Sequence, residues 1–114
     1  MEIKRGDIFL VALNPIIGSE QGKTRPCLVV QNDEGNKSSP ITIIAPLTKT
    51  RFEKEYPTNV EINTIESGLN FDSTILLNQI RAIDKSRLLK KLTHIDQNIM
   101  KKVNFAIKIS LDLD

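Results

Sequence analysis

Asp7-Ile8-Phe9-Leu10-Val11-Ala12-Leu13 is the stretch on which the reading of this chain turns. Its apolar residues occupy both alternating faces, the pattern of a β-strand buried on two sides. The strand stops at Asn14-Pro15, because proline cannot continue a ladder. Working outward, Ile16 to Thr24 carries two glycines and several short polar side chains and reads as an exposed loop. Arg25-Pro26-Cys27-Leu28-Val29-Val30-Gln31 follows as a second strand, with Pro26 near its start, where a missing N–H does least harm. Asn32 to Pro40 reads as a polar loop, and Ile41 to Thr48 as a third strand whose Pro46 marks an edge or bulge. Asn59-Val60-Glu61-Ile62 alternates as a short half-buried strand. After a turn at Ser67-Gly68, Thr74 to Leu77 and Gln79 to Ile83 are strand-like, broken by a bulge near Asn78. Many short strands at this spacing favour a mainly β architecture, a small barrel.

Beyond Ile83 the period changes. Asp84 is placed to cap a short basic helix running to Leu92, and Asp96 a second helix in which Ile99, Val103 and Ile107 recur every four residues. The barrel is therefore expected to be closed by C-terminal helices. The chain has 114 residues, enough for one core and too few for two, so residues 1–114 are expected to form a single domain. Charged residues make up 26% and the net charge is only +2, with eight basic and seven acidic residues in each half. Any site for a polyanion must therefore be local.

Single residues exclude whole classes of chemistry. One cysteine, Cys27, cannot form an intramolecular disulfide or a zinc site of several thiolates, and one histidine, His94, cannot form a His-pair catalyst. No cofactor or metal is expected. No apolar run approaches the ~18 residues of a membrane span and no signal peptide is seen, so no membrane contact and a cytoplasmic location are expected. Nucleotide-binding and esterase motifs such as GxxxxGK[ST], GxGxxG and GxSxG are missing.

The residues that remain each admit two readings. Gly18-Ser19-Glu20-Gln21-Gly22 is either a plain hairpin loop or a binder of phosphate and base edges. Arg25 either clamps a phosphate or pairs with Glu20 or another acid. Thr48 is a hydrogen-bond donor to a phosphoryl oxygen or a structural strand end. Gln79 satisfies buried backbone or faces a ligand. Lys85, Arg87, Lys90 and Lys91 form either an RNA-attracting patch or a solvated helix face. His94 is assigned to the surface, Cys27, Phe9 and Phe105 to the core. Phe52 and Tyr56 either stack on an unpaired base or cover the barrel.

Taken in order, the residues say more. Arg5-Gly6-Asp7-Ile8-Phe9, Leu13-Asn14-Pro15, Gly18 to Gly22, Thr24-Arg25-Pro26 and Val29-Val30-Gln31-Asn32-Asp33 resemble the MazF/PemK family of toxin endoribonucleases. The likeness continues through Gly35-Asn36-Lys37, Ser39-Pro40, Pro57-Thr58, Val60-Glu61-Ile62, Asp72-Ser73, Leu77, Gln79-Ile80-Arg81 and Asp84-Lys85, and is strongest to a branch found in low-GC Gram-positive bacteria. The resemblance implies an SH3-like barrel with C-terminal helices, acting as a homodimer. It implies sequence-specific, metal-independent cleavage of single-stranded RNA, chiefly mRNA, which halts translation and growth. A cognate antitoxin would neutralise the toxin with a flexible acidic segment.

Residue by residue, Arg25 matches the family's catalytic arginine and Thr48 its catalytic threonine. Ser19, Glu20 and Gln21 match the loop around the RNA, Gln79 a substrate-contacting position, and Ile17 a place where relatives carry other base-touching apolar residues. Lys23 stands for a frequent glycine, Pro46-Leu47 for a small-apolar pair, and Asn59 for a frequent histidine. These departures leave the recognised sequence open. Cleavage of this kind draws its nucleophile, the 2′-hydroxyl, from the substrate, so the missing serine or cysteine nucleophile is no obstacle. The general base stays unassigned, since arginine is effectively always protonated. A non-catalytic toxin of the same fold that poisons a protein such as DNA gyrase, and an RNA-binding module without cleavage, are the alternatives.

Overall fold

A computed structural model describes residues 1–14, 17–20 and 22–114. The strands are β1 (Asp7–Ala12), β2 (Thr24–Val29), β3 (Ile41–Thr48), β4 (Asn59–Ile62), β5 (Ser73–Leu76), β6 (Arg81–Asp84) and β7 (Leu88–His94). Three helices, α1 (Asp33–Ser38), α2 (Thr64–Ser67) and α3 (Gln97–Ser110), complete the order. The strands form a seven-stranded antiparallel sheet whose path runs β4-β5-β3-β2-β1-β7, with β6 on β3. The expected mainly β, barrel-like architecture is present, but β4 and β7 end the path unpaired with each other, so the sheet is not closed.

β3 is the hub. One edge pairs with β2, while the other pairs first with β6 through Ile41–Ile44 and then with β5 through Leu47 and Thr48. Pro46 falls in the gap where that second edge changes partner. A residue without an N–H is tolerated there, at the irregularity anticipated from the sequence.

Alternation along the central strands sorts side chains into two cores. Ile8, Leu28, Ala45 and Leu47 pack with β4, β5 and the inner face of α3, which contributes Ile99, Met100, Val103 and Ala106. The intervening residues Phe9, Val11, Cys27, Val29 and Ile44 point the other way, to Leu13, Ile83 and Leu88. The two-sided apolar pattern of β1 is therefore the signature of a sheet sandwiched between two clusters.

The expected helix from Asp84 to Leu92 does not form. Asp84 does cap, accepting from the Ser86 amide at 2.8 Å, but only a single tight turn, Lys85–Arg87, follows before β7. Pairing with β1 overrides the local helical pattern because β1 would otherwise be an exposed, apolar edge. Only the second predicted C-terminal helix exists, capped by Asp96 on the Ile99 amide at 3.0 Å. The polar stretch after Asn32 also forms α1, whose Asn36 is buried and bonds Gln31 and Thr42. The bulge expected near Asn78 is a tight turn, Leu77–Gln79. Phe105, assigned to the core, is 65% exposed on the outer face of α3. Among the described residues no helix is long and apolar enough to cross a membrane.

Candidate active site

The register that pairs Cys27 with Pro46 and Leu28 with Ala45, carried on to the strand ends, sets Arg25 across from Thr48. Arg25 donates from Nε to the Gly22 carbonyl at 3.0 Å and from Nη1 to the Leu47 carbonyl at 3.2 Å. Among the described residues its guanidinium is in no ion pair, so the pairing with Glu20 is not made. A guanidinium fixed by two carbonyls keeps its charge and its remaining N–H donors for an anion. Thr48, 8% exposed, ends β3. Its Oγ1 accepts the Thr50 amide at 3.2 Å and lies 3.1 Å from Thr50 Oγ1, which fixes the hydroxyl's position.

Arg25 and Thr48 line one open cleft of about 710 Å³, together with Lys49, Thr50, Leu69, Asn70 and Phe71. Among the described residues two cations and no carboxylate line it, which suits a polyanion. Ser19, Glu20 and Gln79 line a separate, smaller cleft of about 390 Å³ beside Leu13 and Pro46. The structure thus brings together the Arg25–Thr48 pair, and apart from it the pair of loop residues with Gln79. Ile17 stands 82% exposed, and its amide donates to Glu20 Oε1 at 2.7 Å, so the Glu20 carboxylate shapes its own loop. Gln21 lies outside the described residues.

Several assignments change on contact with the fold. The basic run is not a solvated helix face: Lys85 donates to the Asn36 carbonyl and Arg87 to the Ala12 and Asn14 carbonyls. Lys91 pairs with the buried Asp7 at 3.1 Å, and His94 Nδ1 lies 2.7 Å from the other oxygen of the same carboxylate. Arg87, Lys91 and His94 fasten β7 and the turn before it to β1 and the first loop, and Lys85 ties that turn to α1. Lys49, Asn70 and Phe71 were missed as cleft residues, although adjacency to Thr48 and to the Gly68 turn was a usable signal for them. Burial pushes the Cys27 thiol up to about 12, as its place in the second core requires. Among the described residues no three His, Cys, Asp or Glu side chains are gathered as a metal site needs.

Comparison with known proteins shows the family and the fold. Over 113 residues the chain is 50% identical to "Endoribonuclease EndoA" of Bacillus subtilis, covering 99% of this chain and 97% of that one. It is also 50% identical to "Endoribonuclease MazF" of Staphylococcus saprophyticus, covering 97% and 92%. Among solved structures, MazF from Deinococcus radiodurans superposes with a TM-score of 0.84 at 23% identity, covering 99% of each chain. A mycobacterial endoribonuclease in complex with its cognate antitoxin superposes at 0.81 with 22% identity, covering 98% of this chain and 97% of that one. These two share the fold. Residues 4–111 match the family described as PemK-like, MazF-like toxin of type II toxin-antitoxin system, and to that family this chain belongs.

Proposed function

We infer that the protein is the toxin of a type II toxin–antitoxin pair and an endoribonuclease that cuts single-stranded RNA, chiefly mRNA, at specific sequences without a metal. The observation that carries this reading is Arg25 fixed at the strand ends across from Thr48, in a cleft lined by cations and no carboxylate. Half-identity over the full length to two named endoribonucleases supports it.

The reaction follows from what these groups offer. The 2′-oxygen of the RNA attacks the adjacent phosphorus, and the bond from phosphorus to the 5′-oxygen breaks. A 2′,3′-cyclic phosphate and a 5′-hydroxyl result. One proton leaves the 2′-hydroxyl and one must reach the departing 5′-oxygen. Negative charge grows on the phosphoryl oxygens between these events, and fixed donors aimed at it lower the barrier. Arg25 supplies the fixed cation, and the Thr48 hydroxyl a neutral donor. Arg25 is suited to donate toward the leaving oxygen and unsuited to act as base. Ser19, Glu20, Gln21, Gln79 and Ile17 would read the flanking bases.

The same reading makes the protein a cytoplasmic homodimer held in check by a cognate antitoxin. The exposed Phe105 and Leu111 supply apolar surface for such contacts. Translation and growth would stop when the antitoxin is lost. The test is incubation with mixed-sequence single-stranded RNA in chelator, followed by mapping of new 5′ ends. Discrete cuts, lost in Arg25→Ala, are expected. Uncut RNA would favour the protein-poison alternative, and equal cutting by the variant would remove Arg25 from the chemistry.

A further inference from the structure

We propose that Phe71 is the stacking platform for an unpaired nucleobase within the Arg25–Thr48 cleft, with Lys49 beside it as the cation that meets the RNA backbone. The proposal rests on the ribonuclease reading and names a subsite within it.

Phe71 lies on the connection between α2 and β5 and is 55% exposed, although it is among the largest apolar side chains in the chain. It is the aromatic residue that lines the cleft among the described residues. The Lys49 ammonium sits 3.6 Å from its ring centroid, and Lys49 lines the same cleft, immediately after Thr48. The ring is therefore met by an exposed cation rather than by core side chains. An exposed cation–π contact of this kind is weak enough to yield to a phosphate.

The backbone beneath the ring is fixed. Ser73 Oγ donates to the Phe71 carbonyl at 3.2 Å. The neighbouring Asp72 carboxylate accepts the Thr64 amide at 3.1 Å and Arg51 Nη2 at 2.5 Å. A large aromatic ring presented to solvent on a pinned loop, over a cleft with two cations, meets both requirements of single-strand binding, a stacking face and a track for the backbone. Phe52 and Tyr56, the aromatics first suggested for stacking by the sequence, are engaged with each other edge to face at 5.8 Å and lie outside the cleft lining. Phe71 takes over that role.

The test has two arms. First, a cleavable single-stranded RNA containing a mapped cut site is used to separate KM from kcat. Phe71→Ala is expected to raise KM by roughly tenfold and to change kcat by no more than about twofold, with Phe71→Tyr restoring the wild-type KM. Second, 2-aminopurine is walked through a non-cleavable 2′-O-methyl oligonucleotide of that sequence. Its fluorescence is expected to be quenched at one position by the wild type and by Phe71→Tyr, and not by Phe71→Ala. Equal KM values and equal quenching for wild type and Phe71→Ala would overturn the proposal while leaving the ribonuclease reading intact. Should the wild type leave every RNA uncut, the ribonuclease reading falls instead. The same walk through a mixed-sequence pool then decides the stacking site alone, with quenching that needs Phe71 supporting it and its absence refuting it.

Discussion

Arg25 donates from Nη1 to the carbonyl of Leu47 at 3.2 Å, so the charge on β2 is anchored to the residue just before Thr48 on β3. Two strand ends that are distant in sequence are thereby locked into one donor array. Replacing Arg25 with alanine is expected to lower kcat by about 10²–10³-fold, the usual effect of losing a donor aimed at developing charge. The melting temperature is expected to stay within a few degrees of wild type, since the side chain is not in the core. Arg25→Lys is expected to remain deficient, because a single ammonium cannot reach two carbonyls and a phosphate together. Single-turnover cleavage and a thermal melt check both statements.

Thr48→Val keeps the shape and removes the hydroxyl that the Thr50 amide now meets. A loss of roughly 10²-fold in kcat is expected, with a stability change near 1 kcal/mol from the unsatisfied amide. Thr48→Ser is expected to keep most of the activity. Comparison of the two variants by cleavage rate and urea unfolding separates the chemistry from the packing.

Lys23 has φ of 61°, in the left-handed region that side chains with a Cβ disfavour. It is held there by its amide on Asn14 Oδ1 at 2.8 Å and by its carbonyl, which accepts the Leu13 amide at 2.8 Å. Left-handed backbone costs an L-residue roughly 1–2 kcal/mol, while glycine's extra chain entropy returns roughly 0.5–1. Lys23→Gly is therefore expected to stabilise the protein by about 0.5–1 kcal/mol, a rise of roughly 2–6 °C in Tm. This is a physical reason for glycine to be frequent at the position.

Cys27 is buried in the second core, and its thiol pKa is raised to about 12 from 9.0. In the unfolded chain the thiol ionises near pH 9, so more protons are bound in the folded state between those two values. The thiol's contribution to stability is therefore complete below pH 9 and is lost as pH rises toward 12. Urea unfolding of wild type and Cys27→Ala should diverge in slope between pH 9 and pH 11, with the wild type falling faster. At pH 8 the native thiol is expected to resist a disulfide reagent that modifies it at once in urea.

How far the fold was legible follows from where information sits in the chain. The double-faced apolar strand around Phe9 is local and was readable, as were the caps at Asp84 and Asp96 and the third strand to its last residue. The segment Leu88–His94 was not, because its strand state is set by β1, some eighty residues earlier, rather than by its own pattern. The buried Asn36 network looked like loop composition for the same reason, since its partners Gln31, Thr42 and Lys85 come from three other segments. Phe105 shows the limit of treating aromatic residues as core by type. Arg25 and Thr48 were singled out by the family resemblance, since each residue taken alone admitted a structural reading as readily. That the fold seats Gln79 with Ser19 and Glu20, apart from that pair, needed the strand register.

The central claim is that the RNA supplies its own nucleophile to a site built on Arg25 and Thr48. The most direct measurement is single-turnover cleavage, in chelator, of a single-stranded RNA carrying one 2′-deoxy residue on the 5′ side of the mapped cut. The wild type is expected to leave this bond intact while still cutting the all-ribo strand to a 2′,3′-cyclic phosphate and a 5′-hydroxyl. Cleavage of the deoxy-substituted bond at the all-ribo rate would contradict that claim.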